Sequence, residues 1–241
     1  MIRWLIIPLV LWLGHPVTVI TDPQEETCIY DVRYLYGNLN TKVAKATFTL
    51  TQDEFEGQDV YKAEIGIKVQ PIFRLFMHSK YKVEDYFTRP GMNPLYYCTS
   101  SNKGSAWCRY SEDEIVFWRQ YGKMPEPAIF HHPNDGISME LVTLLYYVRT
   151  HDFKEGEPYE VRPLMGGQPR EATLTMEGIE TEKYPGHSAQ ILHLEMLERG
   201  ILENGSGKDV WIWIDSDERR TPLGLQVSLG KRGTMVCHIL E

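Results

Sequence analysis

Asp209-Val210-Trp211-Ile212-Trp213-Ile214-Asp215-Ser216-Asp217-Glu218-Arg219-Arg220-Thr221-Pro222-Leu223 is an apolar strand that stops at a charged turn and restarts as a second strand. β-branched and aromatic residues fit a pleated, packed surface. Trp211 and Trp213 fall on one face of that strand, because side chains alternate. The turn acids Asp215, Asp217 and Glu218 have loosely the spacing of a calcium loop, but the glycine and the distal glutamate of such a loop are missing. Arg219 and Arg220 follow at once, so turn chemistry with local ion pairs is the better reading.

Working outward, the same strand signature recurs on both sides. Alternation predicts strands over residues 29–37, 43–50, 59–69 and 80–88, with a polar turn over 52–57. Pro71–Met77 is a short apolar piece that reads as a bend or a single helical turn. Residues 94–100 and 106–110 flank Ser101-Asn102-Lys103-Gly104-Ser105, a hairpin signal. Cys98 and Cys108 are equidistant from Lys103, so a hairpin centred there sets them face to face and within reach of a disulfide. Closing so short a loop would stabilise by about 3 kcal/mol or less. Two free thiols are the alternative.

Residues 114–121 read as another strand, and then the period changes. Ile137, Leu141, Leu144, Leu145 and Val148 lie at helical spacing, which predicts one amphipathic helix over about 135–150. Asp135 is its expected N-cap, and Ser138 lies inside its start. Strands return over 159–164, 170–178, 188–195, 223–229 and 234–240, separated by turn signals that include Gly166-Gly167 and Asn204-Gly205-Ser206-Gly207.

Composition bounds the function. A net charge of −8 argues against the wide basic face that nucleic-acid binding needs. Met1-Ile2-Arg3 followed by the apolar run Trp4–Gly14 resembles a secretory signal and is short for a membrane span. The cleavage pattern is poor, and an uncleaved anchor or a buried first strand is the alternative. The chain is therefore read as a signal-like segment over 1–21 and a single β-rich domain over 22–241, not an integral membrane protein once the segment is removed. None of Cys28, Cys98, Cys108 and Cys237 forms a Cys-x-x-Cys pair, so neither structural zinc nor thioredoxin chemistry is expected. An even count behind a signal-like segment suggests two disulfides, with Cys98–Cys108 set by the hairpin and Cys28–Cys237 left as the conditional second pair. The second would make the chain ends neighbours in a sheet curled towards closure.

Three motifs carry a family resemblance. Tyr81-Lys82-Val83-Glu84-Asp85-Tyr86 resembles the "Y-x-V-x-D-Y" strand of the family called domain of unknown function 3108. Asp135–Ser138 with Leu145–Thr150 is similar to its "D-x-x-S…Y-Y-x-R" helix, and Val210–Pro222 to its "V-W-I-S-D-D-x-x-R-x-P" signature. Ala44-Lys45-Ala46, the added Trp213-Ile214 and the longer Met139–Val142 region depart from the pattern. The resemblance implies export in a Gram-negative-type bacterium, to the periplasm or cell envelope, and a curved antiparallel sheet comparable to a half-barrel. It implies no biochemical activity. The fold class expected is thus mainly β: a single curved antiparallel sheet or partly open β-barrel, with the helix packed on its concave side.

No catalytic signature stands out. There is no Gly-x-Ser-x-Gly elbow, His-Glu-x-x-His motif or phosphate loop. His131-His132 would point apart on a strand, so a shared metal is not expected, and no cofactor is implied. Asp85 and Arg149 each sit in an otherwise apolar motif and need a buried partner, which suggests a mutual pair tying helix to sheet. Trp211, Trp213, Trp118 and Tyr86 are the candidate ligand-binding aromatics. The leading functional expectation is a non-enzymatic binder of an apolar, lipid-like or polymer ligand. Alternatives are a carbohydrate-active enzyme using groove carboxylates, with a glycan ligand, and a structural partner of an envelope protein.

Overall fold

The computed structural model describes residues 23–74, 80–89, 91–122, 124–197 and 209–240. The signal-like segment and the Asn204–Gly207 turn lie outside them. Among the described residues sixteen strands and one α-helix follow in chain order. The first half holds β1 (Glu26–Tyr36), β2 (Leu39–Phe55), β3 (Gln58–Val69), β4 (Lys80–Thr88), β5 (Pro94–Ser101), β6 (Gly104–Tyr110), β7 (Glu114–Tyr121) and β8 (Ala128–Pro133). After β9 (Ser138–Met139) and α1 (Leu141–Thr150) come β10 (Pro158–Met165), β11 (Gln168–Pro169), β12 (Ala172–Glu180) and β13 (Ala189–Met196). The last three are β14 (Val210–Asp215), β15 (Pro222–Ser228) and β16 (Thr234–Leu240).

They form one sheet in the order β11-β10-β12-β13-β14-β15-β16-β1-β2-β3-β4-β5-β6-β7-β8, with β9 beside β10. The neighbours along this path are antiparallel, so short turns connect most of them. Between β2 and β3 the turn residues Glu56 and Gly57 both have positive φ, 54° and 81°, the backbone that matches the twist of a two-residue hairpin. The chain ends meet in mid-sheet, where β1 pairs with β16 and Tyr30 faces Ile239. The expected neighbourhood of the ends is therefore present.

The sheet curls but does not close by a ladder. Its free edges are β8 and β11, and side chains span the gap. His132 Nε2 lies 2.8 Å from the Gly167 carbonyl, and Arg119 donates to the Gly166 carbonyl at 3.0 Å. Gly167 fits against the ring of Phe117, where an added Cβ would sit 2.3 Å from a ring carbon. This is the position at which the seam requires a glycine.

The helix is 141–150, shorter than the expected 135–150. Ser138-Met139 pairs in parallel with Arg162-Pro163 instead. Asp135 is not the N-cap: its Oδ1 accepts from the backbone N–H of Ile137 and Ser138, and its carboxylate pairs with Arg162. These local bonds hold an extended approach, which competes with helix. The strand β8 was not expected, because His131-His132-Pro133 reads as polar loop. The helix buries nearly its whole circumference inside the curled sheet, whereas its spacing predicts a single apolar stripe. One side packs Leu144, Leu145 and Val148 on Leu174, Leu192, Leu194 and Ile212. The other sets Tyr146 against Leu50, Tyr61 and Phe87.

Candidate functional site

A barrel wall of this many strands is too wide for inward side chains to meet across it. The helix fills one part of the interior. What remains is a cavity of about 930 Å³, lined from β1 through β8 on one side and from β10, β13, β15 and β16 on the other. Most of its wall is apolar, for example Phe48, Ile65, Val83, Phe117, Leu164 and Met235. Leu141 and Val142 of the helix start form its floor, and the exposed Tyr121 and Gly166 mark its mouth.

Few polar groups interrupt this surface. Arg119, Gln168 and Arg170 lie on the β7 and β11 side. Deeper are Thr99 and Glu140, both buried, whose Oγ1 and Oε1 have no hydrogen-bond partner. Burial pushes the Glu140 carboxyl well above the usual carboxylate range, and the nearby Asp85 carboxylate adds to the effect. Asp85 itself is fully buried in the wall. Burial raises it from 3.8 to about 7, opposed by hydrogen bonds from the Thr143 hydroxyl and from the backbone of Thr143 and Tyr86.

Asp85 and Arg149 do not pair with each other, contrary to the expectation. Thr143 Oγ1 donates to Asp85 Oδ2 at 2.5 Å, so the strand carboxylate caps the helix start. Arg149 sits at the other end of the helix and forms a bidentate pair with Glu26 of β1. The two charges occupy opposite ends of a ten-residue helix. Each still ties helix to sheet, through a different partner.

The four candidate aromatics are not in the cavity. Phe117 lines it, so the adjacent Trp118 faces outward and stacks on Trp107 with ring centroids 6.1 Å apart. Asp85 points inward, so Tyr86 faces outward between Phe55 and Tyr96. Val210, Ile212 and Ile214 join the inner core, so Trp211 and Trp213 lie on the outer face. Trp213 is buried there and donates to Glu180 at 2.9 Å, with the Lys183 ammonium 3.2 Å from its ring centroid. Trp211 stacks on His193 at 4.7 Å. Among the described residues no group of His, Cys, Asp and Glu is arranged to hold a metal.

The two expected disulfides are absent, and all four cysteines are free. The hairpin turn is Asn102-Lys103, with Ser101 opposite Gly104, so Cys98 faces Trp107 and Cys108 faces Tyr97. A shift of one residue sends the two thiols to opposite faces. Cys98 lies outside near Glu84, whereas Cys108 is in the core. At the chain ends Cys237 faces Val32, two pleats away from Cys28.

The acidic turn between β14 and β15 is structural. Asp217 accepts from the backbone N–H of Arg220, and Asp215 pairs with His187. Arg219 and Arg220 do not pair with the turn acids as expected: the Arg220 guanidinium turns inward to the helix C-terminus, donating to the carbonyls of Val148, Arg149 and His151.

No curated protein matches the chain. A solved structure is similar in fold: the crystal structure of a β-barrel-like protein of domain of unknown function DUF1849 from Brucella abortus, with a TM-score of 0.55 at 7% identity, covering 93% of this chain and 98% of that one. The model of the family described as "Protein of unknown function (DUF3108)" matches residues 29–238, which include all three motifs, and the chain belongs to that family.

Proposed function

We propose that the protein is an exported, non-enzymatic binder of an apolar, lipid-like molecule, held inside the curled sheet. The observation that carries this reading is the cavity of about 930 Å³ with its largely apolar wall. Its size lies within the roughly 300–1,000 Å³ of small-molecule sites, which combine apolar walls with a few placed polar groups. Export rests on the apolar run Trp4–Gly14 behind Arg3. The outer wall supports a carrier rather than a lipid-facing barrel. Lys62, Glu64, Lys82 and Glu84 form a charged network on its outside, where a membrane barrel carries an apolar band.

Glycoside cleavage needs two carboxyl groups flanking the scissile bond. Among the described residues Glu140 is the one acid that lines the cavity, and the neighbouring Asp85 carboxylate is engaged by Thr143. This weighs against the carbohydrate-enzyme alternative. The open interior likewise favours a ligand over a purely structural role.

The test is native mass spectrometry of protein purified from its own cells, followed by solvent extraction and uptake of the neutral probe N-phenyl-1-naphthylamine. A co-purifying apolar molecule, or saturable probe uptake by the stripped protein, is expected. A protein that carries nothing and takes up no probe overturns the proposal.

A further inference from the structure

Glu140 is a buried acid that the fold does not use. It directly precedes the helix, and its backbone carbonyl accepts the Leu144 N–H at 2.9 Å. Its side chain makes no capping bond, because Asp85 supplies the cap through Thr143. It forms no ion pair among the described residues, and its Oε1 has no partner. Only 7% of the residue is exposed, and it lines the cavity floor. Burying a polar group without a partner is costly, and a leucine would pack here at no such cost. Glu140 is among the residues that line the cavity, so this unused hydrogen-bonding capacity lies in the cavity wall, on a covered atom beside the space where a ligand would sit. Thr99, whose Oγ1 is likewise covered and without a partner, lines the same space.

Resting on the cavity reading above, we infer that Glu140 is the polar anchor of the cavity and hydrogen-bonds the uncharged, oxygen-bearing end of a long-chain alcohol or ester, disfavouring an anionic head there. Burial and the Asp85 charge keep the Glu140 proton in place, so the carboxyl offers an O–H donor and a carbonyl acceptor. A hydroxyl or ester oxygen satisfies both without bringing charge into an apolar chamber. A carboxylate or phosphate would bring a charge against Glu140 and an apolar wall and lose its hydration. The chain then runs from the floor towards Tyr121 at the mouth. The opposite orientation, an anionic head at Arg119 and Arg170 with its tail inward, is the competing outcome.

The experiment displaces N-phenyl-1-naphthylamine from the full chain with 1-dodecanol or dodecanoate at neutral pH, in the wild type, Glu140→Gln and Glu140→Leu. Dodecanol should displace the probe at lower concentration than dodecanoate. Glu140→Leu should weaken dodecanol about fivefold relative to dodecanoate, the scale of one buried hydrogen bond, and so shrink the alcohol preference. Glu140→Gln, which still donates and accepts, should retain dodecanol. Should Glu140→Leu not fold, the infrared band of the protonated Glu140 carboxyl, assigned by its loss in Glu140→Gln, should shift when dodecanol binds. Dodecanoate binding as tightly as dodecanol in the wild type overturns the anchor, and so does an alcohol preference unchanged in Glu140→Leu or an infrared band that does not move. Failure of the probe to bind the wild type is a separate result, which removes the cavity reading and the anchor with it.

Discussion

Arg149 and Arg220 each donate from Nε to the other's backbone carbonyl, at 2.8 and 2.6 Å. Two guanidinium groups thus share one end of the helix without repelling each other out of it, because each faces carbonyl oxygens. Arg149 adds the Glu26 carboxylate, and Arg220 adds Gln190 Oε1 at 3.0 Å. Last-turn carbonyls have no partner within a helix, and here Arg220 satisfies those of Val148 and Arg149. The motif arginine of the helix and that of the acidic turn are therefore two halves of one clamp.

Removing either half should be expensive. Arg220→Met leaves several buried carbonyls unsatisfied and should destabilise by ~3 kcal/mol or more. Arg220→Lys should recover little, since a point ammonium cannot reproduce the fork. Arg149→Met combined with Arg220→Met should cost less than the sum by at least ~1 kcal/mol, because each side chain bonds the other's backbone and the two belong to one network. Urea unfolding curves check this, and strict additivity would mean that the two arginines act independently. Exchanging the charges of residues 85 and 149 should rescue nothing.

The buried acids set a pH dependence. Asp85 binds its proton more tightly when folded, with its pKa raised from 3.8 to about 7, so its contribution to stability is full below about pH 4. That contribution is lost as pH rises towards 7, and Glu140 acts in the same direction. Asp85→Asn should therefore gain on the wild type across pH 4–7, by at most about 1.4 kcal/mol per pH unit, and level off above 7. The measurement is the urea midpoint of both proteins at each pH. A difference that stays flat over this range would mean that Asp85 is ionised throughout.

The outer tryptophans and the cavity should respond separately. Trp213→Phe removes the bond to Glu180 and the best face for Lys183, so it should destabilise by about 1–2 kcal/mol and leave probe binding unchanged. Ala106→Phe adds a ring where the buried Ala106 lines the cavity and should weaken the probe about tenfold, at an overpacking cost of about 1–3 kcal/mol. Probe loss in the first variant and not the second would move the site to the outer face.

Free cysteines make a simple chemical prediction. Thiol titration in urea should count four. Reductant should leave the unfolding midpoint where it was, whereas breaking a hairpin disulfide would remove about 3 kcal/mol.

The strand pattern was readable because the period-2 alternation is strong: 80–88 and 114–121 match β4 and β7 end for end. The failures have local causes. Taking Lys103 as the hairpin centre assumes a loop of odd length, and the two-residue turn moves the register by one. In Val210–Ile214 both faces are apolar, so alternation reveals that Trp211 and Trp213 share a side but not which side is inner. The partners of Asp85 and Arg149 are a threonine on the helix and a glutamate on the first strand, and neither stands out by type or spacing. Glu140 was missed for a related reason. One acid ahead of an apolar run looks like a helix-start charge, and only the fold shows that Asp85 has taken that task.

Most strand pairs in this sheet join near neighbours in sequence, so they can form as hairpins with little loop to close. The pairing of β1 with β16 differs, since it brings Tyr30 beside Ile239 across nearly the whole chain. Such a contact carries the largest closure entropy and the highest contact order in the molecule. The two arcs of wall can assemble early, but they remain unjoined until Thr234–Leu240 has been made. A partly synthesised chain therefore offers the open edges of β1 and β15 to any other strand, and completion of the last hairpin removes both at once.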